Sequence, residues 1–215
     1  METILESLVN ALQIAILSIC CIFTLVKMLS IRGKSWILLF FFYGSFLLGD
    51  LYWQVCLIFY GDKPQIAVVS DLSWYAAYLF LFLLLRTAWE SEKTDSFIPY
   101  LALIFTAGMA AFYIREGNII SNIIYAALMG LLLFTVVNGL LHKNEGEEHF
   151  SPLYLTVLIF CFFEYAMWTA SCFWERAVFR HAYYVFDLLL TLCFPCFITM
   201  LSISDKKKSG SEVRS

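Results

Sequence analysis

Charge is what this chain has least of. Of its 215 residues only 14% are Asp, Glu, Lys or Arg, while 61% are hydrophobic and 18% aromatic; a soluble domain has about 25% charged and 45–50% apolar residues. That balance excludes a water-soluble globular protein and points to an integral membrane protein. The formal net charge of −3, with no basic stripe, excludes nucleic acid as a partner. Prolines number four and glycines ten, which leaves no room for a long unstructured linker. The three histidines, His142, His149 and His181, are scattered, so no His-rich metal site is expected. No G-x-S-x-G nucleophile elbow occurs, the last apolar run has no Lys for a retinal Schiff base, and no cofactor or metal is expected.

The seven cysteines follow the same logic. Cys20, Cys21, Cys161, Cys193 and Cys196 lie inside apolar runs, where Cys behaves as a small hydrophobe. Cys193 and Cys196 spell C-x-x-C around Pro195, but without the βαβ context of a redox motif. Cys56 and Cys172 fall toward one membrane face, the one pairing for which a disulfide is considered.

What is abundant is long apolar sequence. A helix needs about 20 apolar residues to cross the hydrocarbon core, and seven runs qualify: 8–28, 36–59, 67–88, 97–114, 119–141, 152–174 and 182–203. The first opens on acidic Glu2 and Glu6 and shows no small-residue cleavage site, so it is read as a span and not a signal peptide. The predicted architecture is all-α: a polytopic bundle of seven transmembrane helices forming one domain over 1–203, with a short basic cytoplasmic tail over 204–215.

Lys and Arg orient the bundle. Lys27, Arg32, Lys34, Arg86, Lys93, Lys143 and the tail residues Lys206, Lys207, Lys208 and Arg214 fall on one side; Lys63, Arg115, Arg176 and Arg180 fall on the other. The positive-inside rule sends the larger set to the cytoplasm, with the N-terminus out and the C-terminus in. The protein is expected in the bacterial cytoplasmic membrane, with the lipid bilayer as its first partner.

Orientation gives the few acids inside apolar runs a common depth. At 1.5 Å per residue, Asp50 and Glu164 fall in the outer halves of their helices, and Asp71 and Asp187 lie near the outer starts of theirs. Each such carboxylate costs on the order of 2.5–3.5 kcal/mol at a helix centre by insertion scales. Aromatics share the zone at helical spacing: Trp53 follows Asp50 by three residues, Trp74, Tyr75 and Tyr78 follow Asp71 on one face, Tyr184 precedes Asp187 by three, and Trp168 follows Glu164 by four. Tyr and Trp offer hydrogen-bond donors to a carboxylate and faces to a cation. Acid with aromatic is the composition of an amine- or cation-binding pocket, and these ten residues are its candidate ligand-binding set. The plainer readings are an interfacial aromatic belt, Asp71 as a helix cap, and Glu164 or Asp187 tied to Arg176, Arg180 or His181. Asp50 has no sequence-local cation, so it either shares a proton, binds a cation, or is satisfied by Tyr, Trp and Ser donors.

Runs 2–3 and 6–7 also read alike: an acid, an aromatic soon after it, a short outer connection, then Tyr near Asp. Two three-helix units separated by one helix form the parallel-repeat layout known in some transporters.

The stretch Gly49, Asp50, Trp53, Pro64, Ser70, Asp71, Trp74, Tyr75, Tyr78 resembles a multi-helix membrane module at the N-terminus of bacterial signalling proteins, those carrying GGDEF or EAL domains or histidine kinases. The resemblance covers runs 2 and 3, about a fifth of the chain by length. It implies a sensory role but supplies no ligand. Only SDKKKSGSEVRS follows the seventh run, so a separate signalling protein is the expected receiver. The leading expectation is a sensory or ligand-binding membrane protein taking a small amphipathic or cationic ligand, and not an enzyme. Two alternatives stay open: a small-molecule or proton-coupled transporter, and an intramembrane lipid hydrolase resembling lysoplasmalogenase.

Overall fold

A computed structural model of the chain describes residues 2–60, 68–88, 96–116, 118–141 and 151–212. Lys63, Pro64, Lys93, His142, Lys143, His149 and Arg214 lie outside the described residues. Seven helices make up the described residues, with no strand among them: α1 (Glu2–Ile31), α2 (Lys34–Tyr60), α3 (Val68–Ala88), α4 (Ile98–Tyr113), α5 (Ile119–Leu141), α6 (Ser151–Cys172) and α7 (Ala177–Glu212). In hydrocarbon every backbone N–H and C=O must be satisfied within the segment, which a helix alone achieves for a single run. The polar side chains of the runs follow the same rule locally. The Thr24, Ser73, Thr156 and Thr191 hydroxyls each donate to the carbonyl four residues back, at 2.7–2.9 Å.

Six of the helices are long and apolar enough to cross a membrane; α4, at 16 residues, is shorter. It spans about 24 Å at 1.5 Å per residue, against a hydrocarbon core of about 30 Å. Large apolar side chains cover the outside of the bundle, among them Ile19, Phe59, Ile104, Ile120, Phe162 and Leu192. So large an apolar exterior has no place in water, and the chain is a polytopic helical membrane protein.

The packing order explains why α4 differs. Neighbours pair as α1–α2–α3–α5–α6–α7 and α7 returns to α1, so the six long helices close a ring, while α4 packs on α5 from outside. A hydrogen bond from the Tyr113 hydroxyl to the Tyr165 carbonyl (3.2 Å) and a 2.8 Å contact with the Thr169 hydroxyl tie α4 to α6 as well. The chain is therefore two successive three-helix units, α1–α3 and α5–α7, joined through a peripheral helix.

Two connections are short for identifiable reasons. Between α1 and α2, Arg32 takes a left-handed φ of 53° and donates its N–H to Met28, ending α1 as an αL cap does. The carbonyl of Gly33 then accepts from Trp36 and Ile37 to start α2. At α5, Asn118 caps the helix, its side-chain oxygen accepting from the Ile120 N–H at 2.9 Å.

Expected and observed spans differ most in the seventh helix, which begins at Ala177 instead of 182 and continues unbroken through 204–212. Asp187 is consequently ten residues into its helix, about 15 Å, deeper than its place in the apolar run implies. Pro195 sits inside α7, where it removes one backbone donor; the Tyr43 hydroxyl of α2 donates to the neighbouring Phe194 carbonyl at 2.6 Å. All seven cysteines are free thiols, so Cys56 and Cys172 form no disulfide.

The ring is filled across its middle by aromatic side chains. Phe42 of α2 packs on Phe160 of α6 (6.0 Å between centroids) and on Phe197 of α7 (5.4 Å), and Phe46 packs on Phe194 at 5.1 Å. All are buried. At the end where α2 begins and α7 leaves the bundle, the Trp36 indole N–H donates to Asp205 at 2.7 Å.

Close helix approach makes one glycine testable. A Cβ on Gly139 of α5 would stand 2.6–2.8 Å from ring carbons of Tyr154 on α6, whereas one on Gly44 would meet nothing within 4 Å. Small residues at such crossings let helices approach in a bilayer. Gly139→Ala should lower the thermal midpoint of the detergent-solubilised protein by several degrees, an overpacking cost of about 1–3 kcal/mol. Gly44→Ala should leave it unchanged or raise it; equal effects would contradict the α5–α6 packing.

Candidate functional site

At the opposite end of the bundle from Trp36 and Asp205, the ring opens around a cavity of about 500 Å³. This is the end where α1, α3, α5 and α7 begin and α2 and α6 finish. Volumes of about 300–1,000 Å³ are typical of small-molecule sites. Phe46, Tyr78 and Leu190 line its inner end, above the aromatic layer that fills the middle of the ring.

Five carboxylates line the walls: Glu6 of α1, Asp50 of α2, Asp71 of α3, Glu164 of α6 and Asp187 of α7. Among the described residues that line it there is no Lys, Arg or His. The three deeper acids are well enclosed, at 9% exposure for Asp50, 1% for Glu164 and 5% for Asp187. They stand close enough to feel one another's charge. Neither oxygen of Glu164 and only one of Asp50's has a hydrogen-bond partner among the described residues. Tyr78 and Trp168 stand beside Glu164, but neither oxygen closes a hydrogen bond.

How Asp50 is held answers why the sequence tolerates it. The indole N–H of Trp74 donates to Asp50 Oδ1 at 3.1 Å across the α2–α3 interface. That approach needs the residue before Asp50 to have no side chain, because a Cβ on Gly49 would lie 2.6 Å from Trp74 Nε1. Asp71 is held separately: its Oδ2 accepts from the Ser121 hydroxyl of α5 at 3.0 Å. It ties α3 to the neighbouring α5 instead of acting as a cap for its own helix. Glu164 has no tie to Arg176, Arg180 or His181, since both its oxygens are unpartnered.

The aromatic walls follow. Trp53 and Trp74 sit 5.8 Å apart at 40° on one side. On the other, Trp168 packs on Tyr125 at 5.0 Å and Trp174 meets Tyr183 edge-on at 5.2 Å. Eight of the ten candidates line the cavity: Asp50, Trp53, Asp71, Trp74, Tyr78, Glu164, Trp168 and Asp187. Tyr75 and Tyr184 are not among its lining. Tyr75 turns toward α5, where its hydroxyl donates to the Ser121 carbonyl at 3.2 Å. Tyr184 packs its ring on Trp174 at 5.9 Å and Tyr183 takes the lining position, one residue and about 100° around the helix.

The first helix is the contribution sequence reasoning missed. Glu6, Asn10 and Gln13 line the cavity from α1, and their spacing of four and three residues forms a polar stripe on an otherwise apolar helix. Trp53 Nε1 donates to Glu6 at 3.4 Å and Gln54 Nε2 to the Ser7 hydroxyl at 2.6 Å, joining α1 to the mouth of the site. Among the described residues no three His, Cys, Asp or Glu side chains converge closely enough to hold a metal ion. The acids ring a space larger than an ion. No family model matches the chain, and comparison with curated proteins and with solved structures returns no match.

The Trp74–Asp50 bond can be isolated by a double-variant cycle. Trp74→Phe leaves Asp50 buried without its donor and should cost about 1–3 kcal/mol in detergent unfolding. Adding Asp50→Leu should recover most of that loss. Purely additive losses would show that the indole and the carboxylate are not coupled.

Proposed function

We propose that this chain is a receptor-like protein of the bacterial cytoplasmic membrane that binds a small amphipathic organic cation between its helices. The observation that carries the reading is the group of Asp50, Glu164 and Asp187, buried from three helices in one cavity whose described lining includes no basic side chain. Carboxylates in a bilayer protein normally pair or line a functional path. Here an ammonium group supplies the missing positive charge, and the indole faces of Trp53, Trp74, Trp168 and Trp174 hold its apolar substituents and add cation–π attraction.

In this reading all seven helices cross the membrane, the N-terminus and the cavity face outward, and the basic carboxyl end lies in the cytoplasm. A ligand signals only through its different affinity for two packings of the bundle. α7 is the element suited to carry the change: it runs from Asp187 at the cavity, through Pro195, to Asp205 and its bond with Trp36. A separate signalling protein reads the change at the cytoplasmic end, in line with the resemblance of Gly49, Asp50, Trp53, Asp71, Trp74 and Tyr78 to bacterial sensor modules.

A second reading, a transporter for the same cation, is favoured by one observation, the ring of two successive three-helix units with α4 outside it. Parallel repeats of this kind carry substrate sites between them in some transporters. Against it, the Phe42, Phe160, Phe194 and Phe197 layer fills the ring beneath the cavity. Uptake of a labelled amine into proteoliposomes separates the two, since a receptor gives binding without uptake.

Two measurements follow. A reporter fused at the carboxyl end should read cytoplasmic; an external reading would overturn the orientation. Asp50→Asn should insert and fold normally yet weaken n-butylamine binding at least tenfold, read from tryptophan fluorescence. Unchanged affinity in a well-folded variant would remove Asp50 from the site.

A further inference from the structure

The acids of the cavity stand in two tiers. The deep tier is Asp50, Glu164 and Asp187, whose mutual closeness and enclosure are described above. The outer tier is Glu6 and Asp71, and two independent registers place it about one helical turn nearer the end of the bundle. On α3, Asp71 precedes Trp74, the residue that reaches Asp50, by three positions. On α2, Trp53 follows Asp50 by three positions and is the residue whose indole meets Glu6. Each step is about 4.5 Å along a helix axis, and both point toward the same end. Glu6 also lies within electrostatic reach of Asp187, so the tiers bound one continuous space.

One ammonium group has three N–H donors, which matches the three carboxylates of the deep tier. It leaves Glu6 and Asp71 with one neutral donor each, Trp53 and Ser121, and no positive charge among the described lining. Resting on the reading of the cavity as an organic-cation site, we propose that its ligand is a short linear diamine: one ammonium among Asp50, Glu164 and Asp187, the second between Glu6 and Asp71, and the alkyl chain against the indoles of Trp53 and Trp74. The axial step of about 4.5 Å is the least separation of the two seats, because the acids stand on different helices, so a chain of about three or four methylenes spans them. The unpartnered oxygens of Glu164 and Asp50 mark the deep end as the first ammonium's seat. The cavity volume of about 500 Å³ leaves room for the chain together with water at the mouth.

Putrescine and n-butylamine share a four-carbon chain and differ by one ammonium, so they test the second seat directly. Titrated into the detergent-solubilised full chain by calorimetry, putrescine should bind at least tenfold more tightly. The paired change Glu6→Gln with Asp71→Asn should reduce putrescine to the affinity of n-butylamine, so that the ratio of the two affinities falls from at least tenfold to about one. A matching thermal midpoint shows that the variant is folded; should it not fold, the single change Asp71→Asn should still lower putrescine affinity selectively. Equal affinities of the two amines for the unaltered protein would overturn the diamine and leave a monoamine site standing. Absence of binding by either amine would overturn the organic-cation reading along with it.

Discussion

The indole of Trp74 reaches Asp50 only because Gly49 presents no side chain at the α2–α3 crossing. That single contact decides how an acid survives inside an apolar helix. It satisfies one carboxylate oxygen from across the interface and leaves the other buried without a partner among the described residues. It also sets the two helices close, so Trp53 and Trp74 pack as one wall. A larger residue at position 49 would have to move the indole, and with it the acid's hydrogen bond and that wall.

The remaining polar groups of the bundle divide into those made harmless and those left open. Ser and Thr hydroxyls fold back on their own helices, Tyr43 meets the Phe194 carbonyl beside Pro195, and Asn122 donates to the Tyr113 carbonyl at 2.9 Å. These are local satisfactions that a bilayer requires. The cavity differs because Glu164 has both oxygens unpartnered at 1% exposure. An unpaired buried polar group costs about 1–3 kcal/mol and more when charged, so this end of the bundle lowers stability instead of adding to it. The aromatic layer below it separates this polar end from the rest of the ring.

Much of this was legible in the sequence, and the limits have physical causes. Six of the seven helices among the described residues followed from run length, because hydrocarbon thickness fixes a span, whereas α4 falls short of one. The depth of Asp50 and Glu164 followed from counting residues along a helix of known rise. Rotation was harder: with nearly every position apolar, spacing cannot tell which of Tyr183 and Tyr184 turns inward, or that Tyr75 is drawn to Ser121. The peripheral place of α4 is a matter of packing order, which hydropathy does not encode. Glu6, Asn10 and Gln13 form a polar stripe at helical spacing, but only the packing of α1 against α2 and α7 shows that the stripe turns toward the cavity. Gly49 stood in a recognisable Gly-Asp pair, and only the neighbouring helix explains it.

The proposed role of the buried acids is to hold an organic ammonium. The most direct test is an experimental structure of the full chain with a brominated alkylammonium, whose bromine can be located by anomalous scattering. The ammonium group is expected within hydrogen-bond distance of Asp50, Glu164 or Asp187, with the bromoalkyl group against Trp53 and Trp74. Bromine found only in the apolar groove beside Phe105 and Phe162, with the acidic cavity unchanged, would contradict it.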